Sequence, residues 1–288
     1  MNIKSAVPNG LTLGNLLCGC LGIIAAFEAN MVWASIFIAI AAVFDFFDGM
    51  VARLMGISGE LGKQLDSLAD AVTFGVLPGI MMYQWISISL GDYFTPFFDR
   101  SFTHQVLAST GLLVALFSAL RLAIFNIDTR QSDVFIGVPT PANAVLIASF
   151  PLIMGVQYKL NFYTPVQSQE GRAALTELFY IQKFDFAVIH LLWNPYFHIV
   201  FAVISALLLV APFPLLNFKF KSLRFSENKH RFIFMALIAL LAVITFLPYI
   251  PAVRRAGFLY LDFTVVPIVI LLYIIYSFIL YLFKRSRS

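Results

Sequence analysis

Long apolar runs, separated by short polar connections, leave this chain few possible folds. Each run is about as long as the ~20 residues that a helix needs to cross the hydrocarbon core of a bilayer, and the 288 residues leave room for about eight of them. Only 12% of the residues are charged and the mean hydropathy is +0.88, whereas a soluble globular domain has about 25% charged residues. The sequence therefore predicts an all-α fold, a polytopic membrane bundle of about eight transmembrane helices.

Charges and turn residues divide the apolar runs into individual spans. The expected spans are residues 11–27, 32–54, 62–90, 105–125, 139–156, 195–216, 231–250 and 258–283. A kink is expected at Pro78, because proline removes a helix hydrogen bond. Residues 157–194 mix charges with aromatic side chains and are predicted to be an extramembrane or interfacial insertion. We expect one integral membrane domain over residues 1–288, with a catalytic half at 1–156 and additional transmembrane helices at 195–288.

The distribution of basic residues predicts the orientation of the chain. Under the eight-span arrangement, six of the 19 Lys and Arg residues fall on one side: Arg100, Lys159, Arg172, Lys183, Arg254 and Arg255. The other thirteen fall on the side of the N-terminus, so the positive-inside rule predicts that both termini are cytoplasmic, in a multi-pass protein of the inner cell membrane. The basic segment at residues 219–231 could also bind anionic headgroups of membrane lipids. No nucleic-acid partner is expected.

Four aspartates interrupt the apolar pattern within the 26 residues from Asp45 to Asp70, DFFDGMVARLMGISGELGKQLDSLAD. An acidic side chain at the centre of a spanning helix costs roughly 2.5 to 3.5 kcal/mol to insert, so residues of this kind usually have a function. Asp45 and Asp48 are three residues apart, and Asp66 and Asp70 are four apart, so each pair lies along one face of a helix. Glycines between the two pairs allow a turn, and the two helices can then bring the carboxylates together.

Carboxylates gathered in this way need cations, because like charges at short range oppose each other's ionisation. Hard oxygen ligands without Cys or His favour Mg²⁺ or Mn²⁺, and Ca²⁺ is also compatible. A metal that is not fully enclosed suits a substrate whose phosphate oxygens complete the coordination shell. A divalent cation transporter is the alternative from another functional class. It is disfavoured because all four acids lie in one half of the chain, whereas transporters often have broken helices in matching halves.

These residues resemble the signature of the CDP-alcohol phosphotransferases, D-x-x-D-G-x-x-A-R-x8-G-x-x-x-D-x-x-x-D. The eight matching positions are Asp45, Asp48, Gly49, Ala52, Arg53, Gly62, Asp66 and Asp70. Enzymes of this family transfer a phosphatidyl-type group from a CDP-linked lipid to an alcohol and release CMP. The resemblance implies that Asp45, Asp48 and Asp66 bind the metal, and that Asp70 is the general base and could also be a metal ligand.

The same resemblance implies which residues bind the nucleotide. They are the signature positions Gly49, Ala52, Arg53 and Gly62, together with Pro8, Asn9, Thr12 and Asn15 of an N-terminal P-N-x-x-T-x-x-N element. Hydrogen bonding between helices is the alternative role for Thr12 and Asn15, which share one helix face. The lipid substrate implied is CDP-diacylglycerol, and a homodimer is expected by the same resemblance.

Two further stretches resemble the membrane-integral phosphatidylserine synthases and imply L-serine as the acceptor. The sequence ALRLAIFNID at residues 119–128 is similar to their R-L-A-R-F-N element, and FIGVPTPANA at residues 135–144 is similar to F-x-G-L-P-T-P-A-A-A. The acceptor-binding residues expected from this similarity are Arg121, Asn126, Arg130 and Thr140.

One position departs from this pattern, because Ile124 stands where the family stretch often has a second basic residue. Arg121 is then the remaining local cation for the serine carboxylate. Its alternative role is that of a topology anchor at the membrane interface. Glycerol 3-phosphate and inositol phosphate stay open as acceptors, although a phosphorylated acceptor would be expected to need more cations.

Overall fold

The computed structural model describes residues 5–56, 59–128, 136–160, 183–216, 225–247 and 261–285. Their α-helices are α1 Ala6–Phe27, α2 Met31–Leu54, α3 Glu60–Asp70, α4 Leu77–Ser89, α5 Phe102–Ser109, α6 Leu113–Ile127, α7 Thr140–Leu152, α8 Lys183–Leu192, α9 Pro195–Leu209, α10 Phe225–Phe246 and α11 Val265–Arg285. A π-helical turn at Ala71–Val76 joins α3 to α4, and a second one at Ile153–Gln157 extends α7. Across these ranges the β-type pairing is one isolated bridge between Ile136 and Pro214, so the all-α prediction is confirmed.

Within the described ranges, seven helical segments are long and apolar enough to span a membrane. They are Ala6–Phe27, Met31–Leu54, Glu60–Ser89, Phe102–Ile127, Thr140–Gln157, Asn228–Phe246 and Asp262–Phe283. An eighth span is obtained when the bent pair Phe184–Leu192 and Pro195–Leu209 is counted as one. The prediction of a polytopic bundle of about eight transmembrane helices is therefore confirmed, and the direction in which it crosses the membrane stays a prediction.

The first and third spans differ in detail from the sequence-based prediction. The first helix begins at Ala6 rather than near residue 11. Pro8 lies in its first turn, where a missing N–H costs no intrahelical hydrogen bond. In the third span, the helix irregularity is the π-helical turn at Ala71–Val76, and Pro78 lies in the first turn of α4 that follows it. The kink expected at Pro78 stays a prediction, and the π-helical turn is an irregularity that the sequence did not indicate.

The sixth span also ends earlier than predicted. Helix α9 ends at Leu209, not near residue 216. Pro212 and Pro214 follow, and a proline disfavours helical backbone in the residue before it. The chain after α9 is instead held to the segment before α7, because the amide of Gly137 donates to the carbonyl of Phe213 at 3.2 Å.

Helix α1 packs closely on the π-helical turn and on the start of α4 because two of its residues lack side chains. A Cβ atom at Gly19 would lie 2.3 Å from Thr73 Oγ1, and one at Gly22 would lie 2.4 Å from a methyl carbon of Leu77. The Thr73 hydroxyl donates to the carbonyl of Asn15 at 3.1 Å. Close approach of α1 therefore places its first half directly beside α3, where the second aspartate pair lies.

The 74° bend between α8 and α9 follows from the local sequence. Pro195 has no N–H to donate, and the side chain of Asn194 accepts the amide of Tyr196 at 2.9 Å. In a continuous helix that amide would bond to the carbonyl of Leu192. The bend therefore leaves the Leu192 carbonyl without its helical partner.

Two side chains supply the missing donors at this bend. The indole Nε1 of Trp85 donates to the Leu192 carbonyl at 2.8 Å, and His198 Nε2 lies 2.6 Å from the same oxygen. Because a carbonyl oxygen only accepts, this contact assigns the His198 proton to Nε2. Both donors are buried, so the break in the helix does not leave a buried carbonyl unsatisfied.

Helix α8 is fixed to the bundle by both polar and apolar contacts. The Tyr158 hydroxyl donates to Asp185 Oδ1 at 2.8 Å. Burial, followed by the charge of Asp185, raises the pKa of Tyr158, so the phenol stays a neutral donor. Ile189 and Leu192 pack into the main hydrophobic core. Residues 183–192 of the segment at 157–194 are therefore a helix that packs on the bundle.

Candidate active site

Three of the four signature aspartates meet where the end of α2 crosses α3. Carboxylate oxygens of Asp45, Asp48 and Asp66 all lie within 4.8 Å of one another. Asp48 is buried and the other two are half-buried. Spacings of three residues on α2 and the turn before α3 bring these oxygens together, as the sequence pattern indicates. All three donors are carboxylate oxygens, a set that suits a hard divalent cation.

Thr12 on α1 orients one of these carboxylates. Its hydroxyl lies 2.7 Å from Asp48 Oδ2 and 3.1 Å from the carbonyl of Pro8, and both oxygens are acceptors. The shorter contact is a charge-assisted hydrogen bond when Asp48 is ionised. Thr12 is buried, so the bond is shielded from water. One oxygen of Asp48 is thereby held while the other remains available to a ligand.

Asp70 is not one of the three carboxylates within 4.8 Å of one another, and it has its own partner on α1. The Asn15 side-chain amide donates to Asp70 Oδ1 at 3.2 Å. Asn15 is fully buried, and its Oδ1 has no hydrogen-bond partner among the described residues. The last signature aspartate therefore has a hydrogen-bond partner of its own, while its charge still interacts with those of Asp45, Asp48 and Asp66.

A polar cavity of about 560 Å³ opens beside the carboxylates. Six of the eight residues predicted to bind the nucleotide line it: Pro8, Asn9, Thr12, Gly49, Ala52 and Gly62. Asp48 and Asp66 belong to the same lining, so the cavity and the carboxylate group share a wall. The N-terminal element and the signature, which are far apart in the chain, thus form one site.

The glycines of the signature leave room for other groups. A Cβ atom at Gly49 would lie 3.4 Å from Nη1 of Arg53, so the guanidinium group lies against this glycine. A Cβ atom at Gly62 would lie 3.4 Å from Asn9 Oδ1, across the cavity between α1 and α3. Arg53 is exposed and Asn15 is buried below the cavity, so neither belongs to its lining.

Arg121 is a buried cation on α6. It is 7% exposed, its guanidinium carbon lies 5.2 Å from the centre of the Phe125 ring, and its Nε has no hydrogen-bond partner in the described part of the chain. Among the described residues, its charge interacts with that of Asp70. Ile124, at the departure from the family stretch, is 39% exposed. Burial within the protein favours a role for Arg121 inside the bundle over a side chain that extends to the lipid headgroups.

The other predicted acceptor residues are placed differently. Asn126 Nδ2 donates to the Ser67 hydroxyl at 2.9 Å, and Asn126 Oδ1 lies 3.3 Å from the same oxygen. This pair ties the end of α6 to α3, between Asp66 and Asp70. Thr140 is fully buried and its hydroxyl has no hydrogen-bond partner among the described residues. Arg130 lies outside the described residues.

Lys63, Glu60 and Ser5 also line the cavity, and the sequence analysis did not assign them to the site. Lys63 follows Gly62 directly, but it is not a fixed position of the signature, so in the sequence its charge indicates only the topology. Its place in the first turn of α3 could have indicated a role, because the N-terminus of a helix attracts anions.

A helical membrane bundle with converging carboxylates beside a polar cavity is an arrangement suited to an intramembrane enzyme with a phosphate-bearing substrate. The family model of the CDP-alcohol phosphatidyltransferases matches residues 5–168. This range contains every described residue of the site. The chain therefore belongs to the CDP-alcohol phosphatidyltransferase family, and the resemblance seen in the signature is confirmed.

Curated relatives are similar over about the same part of the chain. A CDP-diacylglycerol–serine O-phosphatidyltransferase of Bacillus subtilis is 36% identical over 155 residues, which are 52% of this chain and 80% of the relative. A protein of the same name from Helicobacter pylori is 34% identical over 49% of this chain and 54% of its own length. An archaetidylserine synthase of Methanothermobacter thermautotrophicus is 35% identical over 57% of this chain and 62% of its own length. The match thus covers little more than half of each of the last two relatives.

Proposed function

We propose that this protein transfers the phosphatidyl group of CDP-diacylglycerol to the hydroxyl of L-serine, giving phosphatidylserine and CMP in phospholipid biosynthesis. The names of the relatives support this choice of acceptor. The observation that carries the proposal is the shared wall between the carboxylate group, through Asp48 and Asp66, and the cavity lined by the nucleotide positions. When CDP-diacylglycerol binds here, its nucleotide lies in the cavity and its diphosphate lies beside the carboxylates.

Asp45, Asp48 and Asp66 are the residues that would hold a divalent metal. Their all-oxygen donor set and the mutual 4.8 Å limit fit Mg²⁺ or Mn²⁺, and Ca²⁺ is also compatible. When bound, the metal would neutralise charge on the diphosphate and on the departing CMP. Thr12 holds Asp48 in place for this ligation. Arg53 and Lys63 add positive charge near the same phosphates.

Asp70 is the proposed general base. It takes the proton of the serine hydroxyl as that oxygen forms a bond to the β-phosphorus, while the bond from this phosphorus to the CMP oxygen breaks. Asn15 holds Oδ1 of Asp70 and so orients the carboxylate. Because Asn15 uses only one of the two oxygens, the second can accept the proton.

Arg121 is the proposed anchor for the serine carboxylate. Its Nε is a buried donor that lacks a partner among the described residues, and its charge interacts with that of Asp70. A serine molecule whose carboxylate binds Arg121 therefore has its hydroxyl directed towards the base. Asn126 supports this arrangement by tying α6 to α3 through Ser67. Thr140 and Arg130 are further proposed acceptor-site residues.

We further propose that residues 1–156 form the catalytic half, that the protein crosses the inner membrane with its site and both termini on the cytoplasmic side, and that it forms a homodimer. The family match at residues 5–168 supports the first of these proposals. The thirteen basic residues on the predicted cytoplasmic side support the second. A cytoplasmic site would have direct access to soluble serine and would release CMP into the same compartment.

A transfer assay on the purified full-length protein in detergent tests the function. CDP-diacylglycerol and Mn²⁺ or Mg²⁺ are supplied with labelled serine, glycerol 3-phosphate or inositol phosphate in parallel, and an ether-linked CDP-lipid is compared with the diacyl form. We expect label to enter lipid from serine alone. Asp70→Asn should abolish transfer while CDP-diacylglycerol still binds, because the base is lost and the cavity is retained.

Other outcomes would change the proposal in defined ways. Transfer to glycerol 3-phosphate or inositol phosphate instead of serine would still agree with the proposed active site, but it would refute the role of Arg121 as the anchor of the serine carboxylate. Full activity of Asp70→Asn would refute the assignment of the base. Metal-dependent transport of a cation without any transfer would refute the enzymatic proposal altogether.

A further inference from the structure

The connection between α4 and α5, residues 90–101, joins two membrane spans. The third span, Glu60–Ser89, carries Asp66 and Asp70 in its first helix, α3, and ends where this connection begins. The fourth span begins with Phe102, directly after the connection. The connection therefore lies at the boundary between hydrocarbon and water, at the far end of the third span from the active site.

Three phenylalanine side chains at this connection are almost fully exposed. The exposed fractions are 82% for Phe94, 86% for Phe98 and 79% for Phe102. A group of large apolar side chains that a protein turns outward usually marks a contact surface. The phenylalanine ring has no hydrogen-bonding group for water and favours contact with hydrocarbon. We call these three side chains the aromatic surface.

Arg100 and Asp92, by contrast, turn inward. Arg100 is 8% exposed, its Nε donates to the carbonyl of Thr95 at 2.9 Å, and its Nη1 donates to the Ser87 hydroxyl at 2.7 Å. Oδ2 of Asp92 lies 2.6 Å from Nδ1 of His104. A loop in water usually turns its charged side chains outward and its large apolar ones inward. This connection has the opposite arrangement.

Much of the backbone of the connection is hydrogen-bonded within the protein. The amides of residues 90–92, 95, 99 and 100 donate to backbone carbonyls. Side chains bond two further carbonyls, because Arg100 donates to that of Thr95 and Gln105 Nε2 donates to that of Arg100, at 2.9 Å in each case. Backbone groups in contact with lipid have no water to bond to, so internal hydrogen bonds of this kind suit a segment that faces lipid.

Contacts with α4 show that the connection folds back along this helix. The guanidinium carbon of Arg100 lies 5.6 Å from the centre of the Tyr83 ring, and the centre of the Phe97 ring lies 6.4 Å from it. Helix α4 ends at Ser89, so Tyr83 lies about 9 Å before its end along the axis. The connection therefore lies beside the last two turns of a membrane span, at a depth where its outer side meets lipid.

We propose that the connection between α4 and α5 lies in the interface of the bilayer. The aromatic surface contacts the outer part of the hydrocarbon, and Asp99, which is exposed, lies among the lipid headgroups. Aromatic side chains are favoured at this depth. Because the same span carries Asp66 near its other end, an anchor here fixes how deep the active site lies in the membrane. The inference does not rest on the proposed function, so either can fail without the other.

Spin labels test the depth of the aromatic surface. Cys18→Ala and Cys20→Ala remove the two cysteines of the chain, and Phe94→Cys, Phe98→Cys and Phe102→Cys then each receive a nitroxide label. The full-length protein is reconstituted in vesicles of phosphatidylcholine and phosphatidylglycerol. Electron paramagnetic resonance measures how often each label collides with O₂, which concentrates in hydrocarbon, and with a nickel complex that stays in water.

We expect each label on the aromatic surface to collide with O₂ about threefold more often than with the nickel complex, because hydrocarbon excludes the complex. Asp99→Cys is the matched control, since Asp99 is exposed directly beside Phe98. Its label should collide more often with the nickel complex than the three others do. Leu116→Cys is the reference for hydrocarbon, because Leu116 is 65% exposed on α6 within the fourth span.

Two results would overturn the proposal. More frequent collision with the nickel complex than with O₂ at the aromatic surface would place these side chains in water. Rare collision with both reagents would mean that another protein surface, such as that of a second copy of the chain, covers them. A melting curve establishes that each labelled protein is folded.

Arg100→Met tests how the connection is held against α4. It removes the hydrogen bonds to Thr95 and Ser87 but keeps an apolar side chain beside Tyr83, so we expect collisions of the nickel complex with the label on the aromatic surface to rise. Unchanged collisions at Leu116 would show that the spans are in place. Ser87→Ala removes one of the two hydrogen bonds and should have a smaller effect in the same direction. No change in either variant would refute the role of Arg100.

Discussion

Thr12→Val provides a sharp test of how α1 organises the metal site. The substitution replaces a hydroxyl with a methyl group of similar size, and so it removes the 2.7 Å hydrogen bond to Asp48 without opening a cavity. A hydrogen bond to a charged group contributes about 1.5 to 3 kcal/mol. Since about 1.4 kcal/mol corresponds to a factor of ten, we expect the affinity for Mn²⁺ to fall by about ten- to a hundredfold. Changes in residues that orient metal ligands typically have effects of about this size.

The affinity can be measured without turnover, by titrating the purified protein with Mn²⁺ and following free Mn²⁺ by electron paramagnetic resonance. Thr12→Ser keeps the hydroxyl and should bind Mn²⁺ almost as the wild type does. Ser35→Ala is a second control, because it removes a buried hydroxyl whose hydrogen bond among the described residues is to the carbonyl of Met31, at 2.9 Å, away from the site. Excess Mn²⁺ should restore much of the transfer activity of Thr12→Val.

Wild-type Mn²⁺ affinity in Thr12→Val would refute the reasoning, because it would mean that Asp48 needs no orientation by α1. A loss of affinity in Ser35→Ala as large as that in Thr12→Val would also refute it, since the effect would then be one of general stability.

Three further predictions concern other parts of the site and fold. Asp66→Asn should lose Mn²⁺ binding, and chelation of the wild type with EDTA should stop transfer until Mg²⁺ or Mn²⁺ is added back; undiminished transfer in EDTA would contradict metal dependence. Arg121→Gln should raise the KM for serine by about ten- to a hundredfold, as expected for a lost charge-assisted pair, and leave the KM for CDP-diacylglycerol nearly unchanged; an equal rise in both would indicate a structural role. His198→Phe should keep the aromatic packing but remove a donor to the carbonyl of Leu192, lowering stability by about 1 to 3 kcal/mol; an unchanged melting temperature would show that Trp85 alone satisfies this carbonyl.

The helices and the aspartate group could be predicted from the sequence because their signals are local. Apolar runs of spanning length are visible residue by residue, and Asp45 and Asp48 are one turn apart on a single helix. The short link to α3 then leaves Asp66 few places to lie. The eight fixed positions of the signature also indicate the family, and the match at residues 5–168 confirms it.

Contacts between distant residues could not be predicted in the same way. Thr12 and Asp48 are separated by 36 positions, Asn15 and Asp70 by 55, and Ser67 and Asn126 by 59. Such pairings depend on how α1 and α6 pack against α3, and the apolar pattern does not determine the rotation of one helix against another.

The bend at the end of α8 shows a second limit of sequence-based prediction. Asn194 and Pro195 indicate a break, but a break alone does not determine the direction of the helices on either side. That direction depends on Trp85 and His198, whose donors reach the Leu192 carbonyl from other parts of the chain. The early start of α1 has a simpler reason, because a proline near a helix start is compatible with either a loop or a first turn.

Helix α1 links the two chemical functions of the proposed site. Thr12 bonds to Asp48 in the carboxylate group, and Asn15 bonds to Asp70, the proposed base. These two residues are three positions apart, so their places on the helix axis differ by only about 4.5 Å. The close packing of Gly19 against Thr73 fixes the position of α1 along its own axis relative to α3. Because one rigid helix holds both carboxylates, the separation between the metal group and the base is set by helix geometry. A substitution that shifts α1 should therefore disturb metal binding and proton transfer together.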